Sequence, residues 1–382
     1  MLGRTHFLYV WISMFATASP SPDTARAMAR WLFVCAALVF IMVILGGATR
    51  LTESGLSMVE WKPLTLLPPL TDTEWQKEFA AYQQYPEFIK KNSWMELSDF
   101  KEIYWLEFTH RLWGRLIGFV FAIPFAVFVF RRQVDRGLFW KFSGLLALGG
   151  AQGALGWFMV ASGLVDRPDV SQYRLMAHLF TAFVCFGLIV WVGLDLLRSA
   201  SPPDTDQKAL SAHENMRGLT SILTGFALLV VCSGALVAGL DAGKGWNTFP
   251  LMDGQLIPAG LYEMSPWFSN WFENHMTVQF NHRVLAITLV GLIAVNFFRM
   301  RRFHVSARVR KLSMSLMHMA LIQAVLGIST LLLTVPVWLA LLHQTGAQIV
   351  FLLAVGLLHS VTPAGNSSPI SAQIAPQISP IA

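Results

Sequence analysis

Eight apolar runs divide the chain, near residues 30–49, 109–130, 140–162, 173–197, 218–240, 279–298, 311–333 and 336–358. Each reaches the ~20 residues that an α-helix needs to cross a bilayer. Only a turn at Val335-Pro336 separates the last two. The pattern predicts an all-α integral membrane protein with eight transmembrane helices.

The polar segments orient these spans, because basic residues collect on the cytoplasmic side. Arg131, Arg132, Arg136 and Lys141 lie between spans 2 and 3; Arg299, Arg301, Arg302, Arg308, Arg310 and Lys311 lie between spans 6 and 7; Arg26 and Arg30 precede span 1. Both termini are therefore expected in the cytoplasm. Arg198, Lys208 and Arg217, between spans 4 and 5, agree, although that loop also carries acids. Loops 50–108 and 241–278 then face outward. The first holds Glu74, Glu78, Glu87, Glu96 and Asp99, and its aromatics should give it structure. Residues 7–18 resemble a signal h-region with an Ala-x-Ala site. Cleavage there would put Arg26 and Arg30 outside, against the charge map, so 1–29 is expected to be a poorly ordered cytoplasmic segment. The Ser-, Pro- and Gln-rich stretch 361–382 reads as a disordered tail.

The chain also repeats itself. Glu107-Phe-Thr-His110-Arg111 opens span 2, and Gln279-Phe-Asn-His282-Arg283 opens span 6. Gln152-x-x-Leu155-Gly156 in span 3 matches Gln323-x-x-Leu326-Gly327 in span 7. His178 in span 4 matches His343 in span 8. Gly47-Ala48 and Gly234-Ala235 end spans 1 and 5. The expected organisation is an N-terminal four-helix half (30–200), a cytoplasmic linker (201–217) and a C-terminal four-helix half (218–360). Four spans per half make the two bundles pseudo-symmetric about an axis along the membrane normal.

Composition narrows the classes. Hydrophobic residues make up 54% and charged residues 13%, against about a quarter charged in soluble chains. The net charge of +6 is spread over short loops, which argues against nucleic-acid binding. Cys35, Cys185 and Cys232 lie singly in apolar stretches and support neither a disulfide framework nor a zinc site.

Ionisable groups inside a membrane are costly and mark function. His110, His178, His282 and His343 all fall within about 10 Å of the outer surface at 1.5 Å per residue. Haem iron accepts two axial imidazoles, and four-helix bundles house such cofactors between facing helices. Zinc would want further ligands, and none repeats beside both pairs. Gly114 and Gly118 follow His110 on its own face and leave room for a flat macrocycle. Arg50, Arg111, Arg115 and Arg283 are candidate propionate contacts, or equally headgroup anchors. Glu107 precedes His110 by three residues, where the second half has Gln279. A carboxylate at a haem edge can act as a base or stabilise a developing cation, and an amide can do neither. Chemistry is thus expected in the first half and a structural or electron-carrying haem in the second. Pairing of Glu107 with Arg111 is the plainer alternative.

Five motifs in order carry a resemblance: Gly46 to Ser57, Glu107 to Arg115, Asn247-Thr-Phe-Pro-Leu-Met-Asp253, Gln279 to Arg283, and His343-Gln-Thr-Gly346. Over residues 28–360 the chain resembles haem A synthases, specifically their alphaproteobacterial and mitochondrial branch. The resemblance implies oxidation of the C8 methyl of haem O to a formyl group, giving haem A for cytochrome c oxidase. It implies substrate ligands at His110 and His178, an important acid at Glu107, and a bis-histidine haem b at His282 and His343. It also implies a bacterial inner membrane location with the haem sites toward the periplasm. Haem O synthase and oxidase assembly factors are the expected partners, the electron partner is open, and homo-oligomers are permitted. One departure stands out: the cysteine pairs of many bacterial relatives are missing from Ser57–Lys62 and Gly245–Pro250. Two rivals use the same histidines, a di-haem electron carrier and a haem transporter or chaperone.

Overall fold

The computed structural model describes residues 19–60, 67–163, 170–201 and 206–363. The signal-like run 7–18 and residues 364–382 of the expected tail lie outside them. Nine α-helices are described: α1 (Pro22–Leu51), α2 (Asp72–Tyr82), α3 (Leu97–Phe130), α4 (Arg136–Gly163), α5 (Gln172–Ser199), α6 (Gln207–Gly239), α7 (His275–Met300), α8 (Ala307–Leu332) and α9 (Val337–Val361). All except α2 are long and apolar enough to cross a membrane. They are the eight expected spans.

Three helices begin earlier than hydropathy suggests, each for a local reason. At α1, Ser21 caps the backbone of Thr24, and Pro22 fills the first turn, where its missing N–H costs nothing. Residues 22–29, expected to be poorly ordered, are therefore helical. Ala25, Met28 and Ala29 are fully buried, while Arg26 pairs with Asp23 and donates to the Ala200 carbonyl at 3.1 Å. At α6, Asp206 accepts from the backbone of Lys208 and Ala209, so the helix takes in much of the expected linker. At α3, a capping box between Glu96 and Asp99 starts the helix at Leu97, well outside the apolar run. Its first turns form a post for the outer loop. Val59, Trp75, Tyr82, Phe100, Ile103, Tyr104 and Phe108 make a separate small core there, with Tyr82 stacked on Phe100 at 5.2 Å. The aromatics of this loop do give it structure, as a cap over α3.

Helices α1, α5, α6 and α9 pack against one another across the middle of the molecule. Helices α3, α4, α7 and α8 lie outside them and turn more of their surface to the surroundings. The halves are stitched at both ends. At the end of the bundle that carries the cap, Arg50 of α1 donates to the Ala238 carbonyl and to Asp241 beyond α6, at 2.8 and 3.0 Å. Gln172 and Tyr173 of α5 bond Glu273 at 2.8 and 2.6 Å. At the opposite end His359 of α9 meets Asp195 of α5 at 3.1 Å. The α8–α9 turn places Thr334 and Val335 in the left-handed region (φ 59° and 58°), unusual for β-branched residues. It brings α9 straight back against α8.

Candidate functional site

Each of the four histidines projects from one helix onto a glycine of the preceding span. The His110 ring (α3) lies against Gly46 (α1), His178 (α5) against Gly156 (α4), His282 (α7) against Gly234 (α6), and His343 (α9) against Gly327 (α8). A Cβ added at those glycines would come within 3.2, 3.2, 3.1 and 2.7 Å of the respective imidazole. Glycine is needed here for close approach. The same seat occurs four times, twice in each half. His110 lies within electrostatic reach of His178, and His282 of His343. The two pairs expected from the sequence are thus brought together.

The Q-x-x-L-G repeat now has a physical reading. Gln152 donates its amide to the His178 carbonyl at 2.7 Å, and Gln323 donates to the His343 carbonyl at 2.8 Å. The glycine four residues on lies on the same helical face and receives the ring. One side chain fixes the ligand's backbone and the next turn accepts its imidazole. In the second half the Gln323 amide nitrogen is also 3.1 Å from His343 Nδ1, and Ser233 Oγ is 2.8 Å from His282 Nδ1.

Glu107 is 2% exposed and gripped at both oxygens. Ser57 Oγ and the Met58 backbone N–H donate to Oε2 at 2.7 and 2.8 Å. Arg111 pairs with Oε1 and also donates to the Met58 carbonyl. The plainer pairing with Arg111 therefore does form, and it sits one helical turn from His110. In the other half Gln279 donates to the Ala242 and Gly245 carbonyls at 3.0 and 2.7 Å, and Arg283 donates to Gln279 Oε1 and to the Trp246 and Thr248 carbonyls. Both residues tie an outer loop to a helix. Only the first presents a carboxylate.

Of the candidate propionate contacts, Arg50, Arg111 and Arg283 all bond protein acceptors. The Nε atoms of Arg50 and Arg283 are buried without a protein partner. Arg115 lies one turn below Arg111 on α3. Sequence reasoning missed Ser57, Ser233 and the roles of the glycines. It aligned Gly47-Ala48 with Gly234-Ala235, whereas Gly46 is the residue that seats an imidazole as Gly234 does. Gly47 meets Gln344 of α9 instead. The repeated Gly156 and Gly327 were the available signal.

Four imidazoles, each set against a glycine of a neighbouring helix among eight apolar helices, define a multi-pass membrane protein with two such histidines in each run of four spans. The profile of the cytochrome oxidase assembly protein family matches residues 29–355. The chain belongs to that family. It is 47% identical to a protein named heme A synthase from Nitrosospira multiformis, over 88% of this chain and 94% of that one. Heme A synthases of Paramagnetospirillum magneticum and Rhizobium etli are 46% and 44% identical, covering 88% and 86% of this chain and 94% and 88% of their own.

Proposed function

We infer that this chain is a haem A synthase, an oxidoreductase that converts the C8 methyl of haem O to the formyl group of haem A. The reading rests on membership of the family together with one asymmetry: of two similarly built imidazole pairs, only the first has a buried carboxylate beside it. His110 and His178 hold the iron of haem O as substrate and orient the ring. Glu107, fixed by Ser57, Met58 and Arg111, stands near the reacting edge and holds or moves a proton at Oε1 or Oε2. Taking the methyl to the formyl group, with the one added oxygen atom counted as water, removes four electrons and four protons in net terms: two successive hydroxylations give a gem-diol, which loses water to leave the aldehyde, with the oxygen donor and the electron acceptor supplied from outside the chain.

His282 and His343 are assigned to a resident haem b. The donor set fits: two imidazoles with glycine opposite each ring and, at His282, an Nδ1 partner in Ser233 that leaves Nε2 for iron. Among the described residues no group of three or more histidines, cysteines or carboxylates gathers to hold a bare metal ion. Haem b supplies one-electron redox chemistry when bound. Arg50, Arg111, Arg115 and Arg283, on the outer side, are assigned to the propionates of the two haems. The basic loops support an orientation with both termini in the cytoplasm and both centres toward the periplasm, and we assign the chain to a bacterial inner membrane.

Extraction and mass analysis of the bound pigments tests the reading. Haem b together with haem O, a hydroxylated intermediate or haem A is expected. Haem b alone would point to an electron carrier. Replacing His343 by a residue that cannot ligate should remove haem b preferentially, and an unchanged reduced-haem spectrum would refute that assignment.

A further inference from the structure

Ser233 precedes the imidazole seat Gly234 on α6 and is 7% exposed. A serine hydroxyl carries one proton. That proton is donated to the Val230 carbonyl at 2.8 Å. With that proton on Val230, the oxygen accepts from His282 Nδ1, at 2.8 Å, an arrangement that puts the ring proton on Nδ1 and leaves Nε2 its lone pair. The tautomer is assigned from this hydrogen-bond pattern.

The first half is built differently. The residue before its corresponding seat, Gly46, is Leu45, which has no hydrogen-bonding side chain. Nδ1 of His178 is buried without a partner. In the second half Ser233 can accept from His282 Nδ1, while the Gln323 amide at His343 Nδ1 is a donor; in the first half His178 Nδ1 has neither.

We propose that Ser233 is a positioning residue for the resident haem, holding His282 in the Nδ1–H tautomer and strengthening Nε2 as an iron ligand. A ligating imidazole that donates its second N–H is fixed in orientation and made more basic. A more basic ligand favours ferric over ferrous iron and slows loss of the group. The weaker support in the first half suits a centre whose product must leave. The proposal rests on the bis-histidine assignment of His282 and His343.

The test uses the purified full-length protein in detergent, with Ser233→Ala and Ser233→Thr. Two quantities are read: the midpoint potential of the haem that His282→Ala removes, and the rate of haem transfer to excess apomyoglobin. Ser233→Ala should raise the potential and weaken haem retention by about 10- to 100-fold. Ser233→Thr keeps the oxygen and should restore both. An unchanged potential in Ser233→Ala would overturn the proposal. So would a threonine variant that behaves like the alanine one, because the effect would then be packing. If His282→Ala loses no haem, the underlying assignment fails and the proposal falls with it.

Discussion

At the scale of single residues, the contrast between Glu107 and Gln279 carries the most chemistry. Ser57 and Met58 can donate to an amide oxygen as well as to a carboxylate, so Glu107→Gln keeps two of the three local contacts. That variant should fold and hold both haems, while haem A formation falls by about 10²- to 10⁴-fold, the range for a lost acid–base group. The ratio of haem A to haem O in extracted pigment measures it, and full haem A production would remove Glu107 from the mechanism. Glycine makes a complementary case. In Gly327→Ala the new methyl lies 2.7 Å from His343 Cε1. Overpacking of this kind costs about 1–3 kcal/mol, and the variant should lose haem from the second half first, visible in the reduced-minus-oxidised spectrum. The histidines were legible in the sequence because polar residues stand out in apolar runs. Their seats were not, since glycine is common in membrane helices and its partner lies on another element.

Among the elements, the outer cap is the part that hydropathy could not outline. Hydropathy reads contact with lipid, and the cap is built on contacts with itself. Trp75 of α2 meets Tyr104 of α3 edge-on at 5.0 Å, and the outward extension of α3 is invisible in a window tuned to span length. The cap also buries a carboxyl. Glu87 is 3% exposed. It accepts from the Tyr82 hydroxyl at 3.1 Å, and Asn92 donates to that hydroxyl at 2.8 Å. Burial, only partly relieved by Tyr82 and Lys91 and reinforced by Glu107 and Glu53, pushes its pKa from an ordinary 4.5 up to about 8. Folding therefore favours the protonated carboxyl. The resulting stabilisation is complete below the ordinary value, declines as pH rises, and is gone once pH has passed through the folded value. Amide exchange across α2 should accordingly speed up between about pH 4 and pH 9, the interval that brackets both values, and Glu87→Gln should flatten that dependence. Equal pH sensitivity in the two proteins would clear Glu87 of the effect.

For the molecule as a whole, the arrangement follows from which helices have two protein neighbours and which face the surroundings. Spans 1, 4, 5 and 8 (α1, α5, α6 and α9) join the halves, and each half contributes one glycine-seated histidine from a central helix and one from a peripheral helix. The eight spans and the pairing of the histidines could be read from periodicity and internal repetition. Which helices lie inside could not, because central α9 is no more apolar than peripheral α7 and α8, and the difference between them emerges in packing. Phe351 of α9, for example, reaches α5 because Gly187 leaves room beside it, at 3.0 Å from where a Cβ would stand.

That inner packing makes the two centres close neighbours through the protein. Gly46 supports the His110 ring, and the next residue, Gly47, abuts the side chain of Gln344, which directly follows His343; Gln344 also donates to the Val43 carbonyl of α1. A single peptide link of α1 thus touches the His110 ring on one residue and the neighbour of His343 on the next. Neither histidine's surroundings can be remodelled in private. Adding one methyl at this link, as in Gly47→Ala, should disturb the absorption bands of both pigments together, whereas Gly234→Ala, away from it, should disturb one.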